Sequence, residues 1–279
     1  MPLSVVIEER GPLRLVTLAN PTKRNALDRV MLAELVRSLQ VSDDVRCVVL
    51  RGDPAGAAFS AGYDIARIDE AEKEQGLDPI QIAADALEAC PVPVIAAIQG
   101  ACMGGALELA MACTLRVAAN NAKLAMPPAK LGLVYSAQGL ARFLRAVSPG
   151  FAQRMFLTGE PCTGAQAHAH GLVDVLVDDD ELMLAEALRI AHVIASNAPL
   201  AVRGLLDALR RLSRPGGPSA EDLSAIAAAR ARTVASEDLA EGVRAFLQKR
   251  PPVFRGLICV TSANFCLSIL FSCTRVRNC

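Results

Sequence analysis

The chain has 279 residues, enough for one large domain or a domain with an appendage. Lys plus Arg and Asp plus Glu balance at 29 each, so charge points to neither a nucleic-acid nor a membrane partner. Three histidines and nine cysteines lack metal-ligand spacing, and no metal is expected. Cys47, Cys90, Cys102, Cys113 and Cys162 lie mostly in apolar surroundings and read as small core hydrophobes in a reducing compartment. His168 and His170 fall in a helical pattern and read as a surface helix. Residues 1–10 are short of a secretory signal and carry Glu8 and Glu9, so a cytoplasmic location is expected.

In chain order, residues 4–9 and 13–18 alternate around Arg10-Gly11-Pro12 and predict a β-hairpin. A polar loop, Asn20-Pro21-Thr22-Lys23-Arg24-Asn25, leads to Asp28 as N-cap of a helix over 29–40, with Val30, Leu32, Leu35, Val36 and Leu39 on its apolar face. Residues 45–50 form a buried strand that ends at Arg51-Gly52-Asp53-Pro54. A glycine-marked turn follows, Phe59-Ser60-Ala61-Gly62-Tyr63-Asp64-Ile65. A charged exposed stretch (70–76) precedes a helix over 79–89.

Residues 92–98 are an uncharged apolar run, a second buried strand. Glycines at 100, 104 and 105 break it, and a helical pattern begins that carries Glu108 in its first turn. A strand that delivers a helix N-terminus through glycines leaves backbone N–H groups free, and the macrodipole there favours negative charge. The turn at Gly62 leaves N–H groups free in the same way. Two such turns after adjacent parallel strands can face one another and supply the two donors of an oxyanion hole. Neither turn carries the G-x-G-x-x-G dinucleotide pattern or a Gly-Lys-Ser/Thr phosphate loop.

Short strands follow at 114–119 and 123–126, then a turn-rich loop from Pro127 to Tyr135. Helices are expected at 138–146, 150–157 and 164–170, with a last strand at 173–177. Beyond Asp180 the pattern is helical: 181–195, 199–212, 219–235 and 237–249, broken at Arg214-Pro215-Gly216-Gly217-Pro218. The order predicts an α/β core followed by a helical part.

Four segments in this order resemble the crotonase, or enoyl-CoA hydratase/isomerase, superfamily over roughly residues 3–256. They are N-P-T-K-R-N-A-L, F-S-A-G-Y-D-I, G-A-C-M-G-G-A-L-E-L-A-M and E-G-V-R-A-F-L-Q-K-R-P-P-V-F. The resemblance implies a spiral of ββα repeats with acyl-CoA site over 1–195 and a helical oligomerisation and coenzyme A-covering region over 196–256; residues 257–279 lie beyond it as an atypical apolar tail. It implies an acyl-CoA thioester substrate, with coenzyme A as part of that substrate and no separate cofactor, and a homotrimer or dimer of trimers. Carried onto this sequence, the oxyanion donors are the N–H groups of Tyr63 and Gly105. Lys23, Arg24, Ala26, Ala61, Asp64 and Ile65 would contact coenzyme A, as would Phe246 and Lys249, often from a neighbouring subunit.

Hydratases of the family position water with two glutamates. Glu108 matches the first, and Pro128 occupies the place of the second, which disfavours an ordinary hydratase. The loop resembles the methylmalonyl-CoA decarboxylase branch instead, with Tyr135 three residues after Gly132; N-A-P-L-A-V and S-E-D-L-A-E-G also match that branch. That branch has a histidine where this chain has Tyr63. Glu108 and Tyr135 are therefore the expected catalytic pair of an enzyme decarboxylating a malonyl-type acyl-CoA. Alternatives are a hydratase or isomerase in which Glu108 works with a non-standard second group, and an inactive coenzyme A-binding scaffold subunit. In the tail, the apolar run over 257–273 contains several polar residues and sits at the short limit of a membrane span, so it reads as an atypical extension with a tail anchor as the alternative.

Overall fold

A computed structural model describes residues 4–64, 66 and 78–258. Ile65, the charged stretch at 70–76 and the tail from residue 259 lie outside the described residues. The chain divides into two units, Met1–His192 and Val193–Cys279.

In the first unit, β1 (Val5–Arg10) and β2 (Leu13–Leu18) form the expected antiparallel hairpin, and β2 then pairs in parallel with β3 (Cys47–Gly52). Parallel pairing continues through β5 (Val94–Ile98), β7 (Leu115–Ala119) and β10 (Val175–Val177), giving a six-stranded sheet. The central strands β3, β5 and β7 are buried along almost their whole length, which explains their unbroken apolar runs. Each buried Val or Leu there stabilises by about 1.5–3 kcal/mol relative to exposure.

A second sheet has the order β4 (Ala58–Ser60), β6 (Ala101–Met103), β8 (Lys123–Ala125) and β9 (Cys162–Thr163). The pairs β3–β4, β5–β6 and β7–β8 each place one strand in the large sheet and the next in the small one. This is the spiral of repeats, with α2 (Pro79–Ala89) after the first pair and α3 (Gly105–Ala112) after the second. α1 (Arg29–Ser38) is capped by Asp28, whose side chain accepts from the Met31 N–H. Cys47, Cys90, Cys102 and Cys113 are buried core residues and Cys162 is half-buried; burial pushes the Cys47 and Cys113 thiols up to about 12.

Helices α4 (Ala137–Ala146), α5 (Pro149–Thr158) and α6 (Gly164–Ala169) follow the second sheet. His168 Nδ1 lies 3.0 Å from the Val173 carbonyl oxygen and His170 stacks on Phe151, so neither imidazole is organised with the other toward an ion. α7 (Asp180–Ser196) leads into the second unit.

The second unit contains α8 (Pro199–Leu212), α9 (Ala220–Val234) and α10 (Glu237–Leu247). Ser219 and Asp222 form a reciprocal capping box at the start of α9, and Arg211 and Arg214 both reach Asp222. The Ser219 backbone and hydroxyl donors hold the Asp222 carboxyl at about 2. Glu241 accepts from Arg250 and from the Val253 N–H, and the Arg250 guanidinium holds it at about 2. The Arg255 and Gly256 N–H groups donate to Asp238, pinning the segment after α10. Among the described residues, no helix is long and apolar enough to cross a membrane.

Candidate active site

The site is built where the small sheet hands over to helices. β4 and β6 are parallel neighbours, so the turns that follow them leave the sheet side by side. Gly62 has φ +94°, and a Cβ there would sit 2.6 Å from the Met103 carbonyl oxygen, so the two turns touch through backbone. Only glycine satisfies both demands. Gly104 also adopts a positive φ, +54°, and opens α3.

Tyr63 joins an isolated bridge with Leu27, made by Leu27 N–H to the Gly62 carbonyl and Asp64 N–H to the Leu27 carbonyl. That pattern does not use the Tyr63 N–H. Among the described residues neither the Tyr63 N–H nor the Gly105 N–H has an acceptor, whereas the Gly62 and Gly104 N–H groups are bonded to Ser60 Oγ and the Ala125 carbonyl. The Ala106 N–H, next along α3, has no acceptor among the described residues either, so the first turn of α3 and the Tyr63 turn both present open backbone donors. Ile80, from the first turn of α2, packs on Gly105; a Cβ there would lie 2.3 Å from its Cδ1.

Glu108 sits in the first turn of α3 and is only 1% exposed. Both carboxylate oxygens are engaged: the Tyr135 hydroxyl bonds Oε2, and Arg142 Nη1 donates to Oε1 at 2.6 Å. Burial pushes the Glu108 carboxyl above its ordinary value, against the pull of Tyr135 and Arg142. Burial also pushes the Tyr135 phenol well up, and the Glu108 charge adds to it. The Tyr135 ring packs against Phe156 and over Gly139, where a Cβ would meet it at 2.5 Å. Pro128, in the place of a second carboxylate, is buried in a short 3-10 turn.

Arg142, which the motifs do not include, is the second partner of Glu108. It lies on α4, 4% exposed, and its partners stand on α2 as well as α3. A signal existed in the sequence. Gln81, Asp85 and Glu88 recur at i, i+4 and i+7 on an otherwise apolar helix, and Arg142 and Arg145 recur at i, i+3 on another. The two stripes meet: Arg142 bonds all three polar residues of α2, and Arg145 reaches Glu88 at 2.9 Å.

The other sequence-named residues fall in two groups. Lys23 and Asp64 form an ion pair at 2.8 Å, with the lysine largely exposed. Arg24 is exposed and left-handed (φ 54°), Ala26 is half-buried, and the exposed Ala61 donates its N–H to the Arg24 carbonyl. Beneath this loop Asn25 is fully buried; its side chain donates to the Asp53 and Ala58 carbonyls and accepts from the Asn20 N–H. Asn25 therefore sets the loop's shape, which presents Lys23 and Arg24 outward. Phe246, 83% exposed, and Lys249 belong to the second unit. Among the described residues no group of three or more His, Cys, Asp or Glu side chains is placed to hold a metal.

Comparison with known proteins gives the family and the fold. The family model described as enoyl-CoA hydratase/isomerase matches residues 8–257. The chain is 31% identical to the methylmalonyl-CoA decarboxylase of Escherichia coli, covering 84% of this chain and 91% of that protein. It is 33% identical to the 2,3-dehydroadipyl-CoA hydratase of Escherichia coli, covering 90% and 98% respectively. Among solved structures, an enoyl-CoA hydratase/isomerase family protein from Hyphomonas neptunium is 37% identical, with a TM-score of 0.82 over 91% of this chain and 98% of that one. The ββα spiral is the crotonase fold, and the chain belongs to the enoyl-CoA hydratase/isomerase family.

Proposed function

We propose that this chain acts on an acyl-CoA thioester, stabilises its enolate between the Tyr63 and Gly105 N–H groups, and generates that enolate by decarboxylating a malonyl-type acyl group. The observation that carries this reading is the state of Glu108. It is the one carboxylate the motifs place at the reacting face, both its oxygens are bonded within the fold, and a buried proline stands where a second carboxylate would help hold water. Decarboxylation needs no base, because loss of carbon dioxide leaves the bonding electrons on the α carbon and thioester oxygen. Each hole donor contributes about 2.7–4 kcal/mol to the barrier reduction.

The enolate then needs one proton at carbon. Tyr135 supplies it from its hydroxyl while Glu108, in its acid form, returns a proton to the phenol oxygen. The pair finishes as phenol and carboxylate, and solvent reprotonates the carboxylate. Burial of Glu108 favours that acid form. Lys23, Arg24, Ala26, Ala61, Asp64 and Ile65 are assigned to the coenzyme A part, with Phe246 and Lys249 supplied by a neighbouring copy in a trimer or dimer of trimers.

A hydratase reading, with Glu108 and a non-standard second group, is favoured by the same burial, which makes the ionised carboxylate a stronger base. Incubation with methylmalonyl-CoA, ethylmalonyl-CoA and crotonyl-CoA, read by product mass, separates the two. Loss of the mass of carbon dioxide from a malonyl substrate is expected. Faster gain of water by crotonyl-CoA would overturn the decarboxylase reading, and coenzyme A binding without turnover of any of the three would identify a scaffold.

A further inference from the structure

We propose that Arg142 is a positioning residue for the Glu108–Tyr135 pair, a built-in counter-ion that is closed to substrate. The inference rests on the reading that Glu108 and Tyr135 serve the reacting face. It goes beyond that reading by assigning who holds the pair and by excluding the guanidinium as a clamp for the substrate carboxylate.

The argument begins with donor arithmetic. A guanidinium has five N–H groups. In Arg142 the Nε–H goes to Glu88 at 3.0 Å; Nη1 serves Glu108 at 2.6 Å and Gln81 at 3.2 Å; Nη2 serves Asp85 and, at 3.3 Å, Glu88. All five donors are spent inside the fold, on side chains from two helices. An arginine that received a malonyl-type carboxylate would have a free edge of two parallel N–H groups. Arg142 has none.

Charge gives the second half. Arg142 faces Glu108 from α3 and Asp85 and Glu88 from α2, Tyr135 faces Glu108 from the loop before α4, and Arg145 shares Glu88. Asp78, the N-cap of α2, adds a negative field at Glu108. Asp85 and Glu88 are partly exposed, so their carboxylates fix the guanidinium from the solvent side while its Nη1 edge reaches the dry carboxylate. Arg142 thereby directs Oε1 of Glu108 to itself and leaves Oε2 for the Tyr135 hydroxyl. It also opposes the burial that pushes the Glu108 carboxyl up.

The test uses the full-length enzyme and the pH dependence of kcat on the malonyl substrate found active. If Glu108 must be protonated to supply the proton, turnover falls as pH rises through its titration. Arg142→Gln removes the counter-ion and is expected to move that alkaline limb upward by about 1–3 pH units. Arg142→Lys keeps the charge and is expected to leave the limb near its wild-type position. In the Glu108→Gln background, Arg142→Gln should cause no further loss of kcat, because Arg142 acts through Glu108. An unmoved limb in Arg142→Gln, or a further kcat loss in the double variant, would reduce Arg142 to general structural support and overturn the inference.

Should Arg142→Gln fail to fold, Glu88→Gln decides. It removes a competing carboxylate at the partly exposed end of the network, so the limb should move down; an unmoved limb overturns the inference. Unchanged turnover in Glu108→Gln alone would overturn the reading of the site itself, a result distinct from failure of the Arg142 assignment.

Discussion

Two glutamates, one in each unit, answer the same question in opposite ways. Glu108 is enclosed by α2, α3 and α4, and burial raises its affinity for a proton despite a directly bonded arginine. Glu241 lies in the helical unit beside a solvent-accessible Arg250, and the arginine lowers its carboxyl to about 2. Similar ion pairing gives opposite titration because the desolvation penalty dominates in the dry site and is small at the surface. A carboxyl whose acid form is favoured can serve as a proton donor. One held ionised across the ordinary pH range can only support structure. In the first unit a buried carboxyl among three helices is pushed up, whereas in the second the paired carboxylates cap α9 and pin the chain after α10.

The contrast is broken most forcefully at Glu108. Replacing it with Gln keeps the shape but removes the transferable proton, and kcat is expected to fall by about 10²–10⁴. Coenzyme A affinity, measured by calorimetry, should remain nearly intact. Unchanged turnover would leave Glu108 a helix-dipole partner and erase the distinction between the two units.

A smaller loss is expected from Gly139→Ala. Its Cβ would meet the Tyr135 ring at 2.5 Å, so the ring must shift and the hydroxyl loses its alignment. A misplacement near 1 Å lowers turnover by about 10²-fold, with little change in the melting temperature. A variant that melts early and turns over normally would show that this ring position serves packing alone.

Asn25→Ala tests whether the exposed Lys23–Arg24 loop depends on its buried pin. Losing the amide removes a buried donor to the Ala58 carbonyl and one of three donors to the Asp53 carbonyl, which keeps the Gly56 N–H and Gln99, and should cost about 1–3 kcal/mol in denaturant unfolding. A cost below about 0.5 kcal/mol would place Asn25 with ordinary surface residues.

The finest test is the pH dependence of stability, where the two units should differ in sign. Glu108 has a folded value above its unfolded one, so its contribution is fully present below the ordinary carboxyl value of 4.5 and is lost as pH rises through the raised value. Glu241 is depressed, so its contribution is present above 4.5 and is lost as pH falls toward about 2. Unfolding curves of Glu108→Gln and Glu241→Gln across pH should therefore differ from wild type at opposite ends of that range. Identical pH profiles for the two variants would contradict the comparison.

Much of this was legible in the sequence because glycine leaves a clear mark. The turns at Gly62 and Gly104–Gly105, the strands β3, β5 and β7 and the hairpin follow from apolar runs and breaks. β4 and β6 were not legible, since each is only three residues and runs directly into a glycine-marked turn, and they are what bring the two turns into backbone contact. Glu108 was legible as a residue, but its immediate partner Arg142 lies 34 positions away. The stripe of Gln81, Asp85 and Glu88 announced a polar helix face without saying what it would meet. Asn25 reads as loop polarity in sequence; its burial depends on carbonyls 28 and 33 residues distant.

The central claim is that the Glu108–Tyr135 pair places the proton after carbon dioxide leaves. The most direct test is turnover of methylmalonyl-CoA in deuterium oxide by wild type and Tyr135→Phe, with the rate and the configuration of the deuterated product both measured. The account predicts a single configuration from wild type, and from Tyr135→Phe a slower reaction that gives both configurations. An unchanged rate with unchanged configuration in Tyr135→Phe would contradict it.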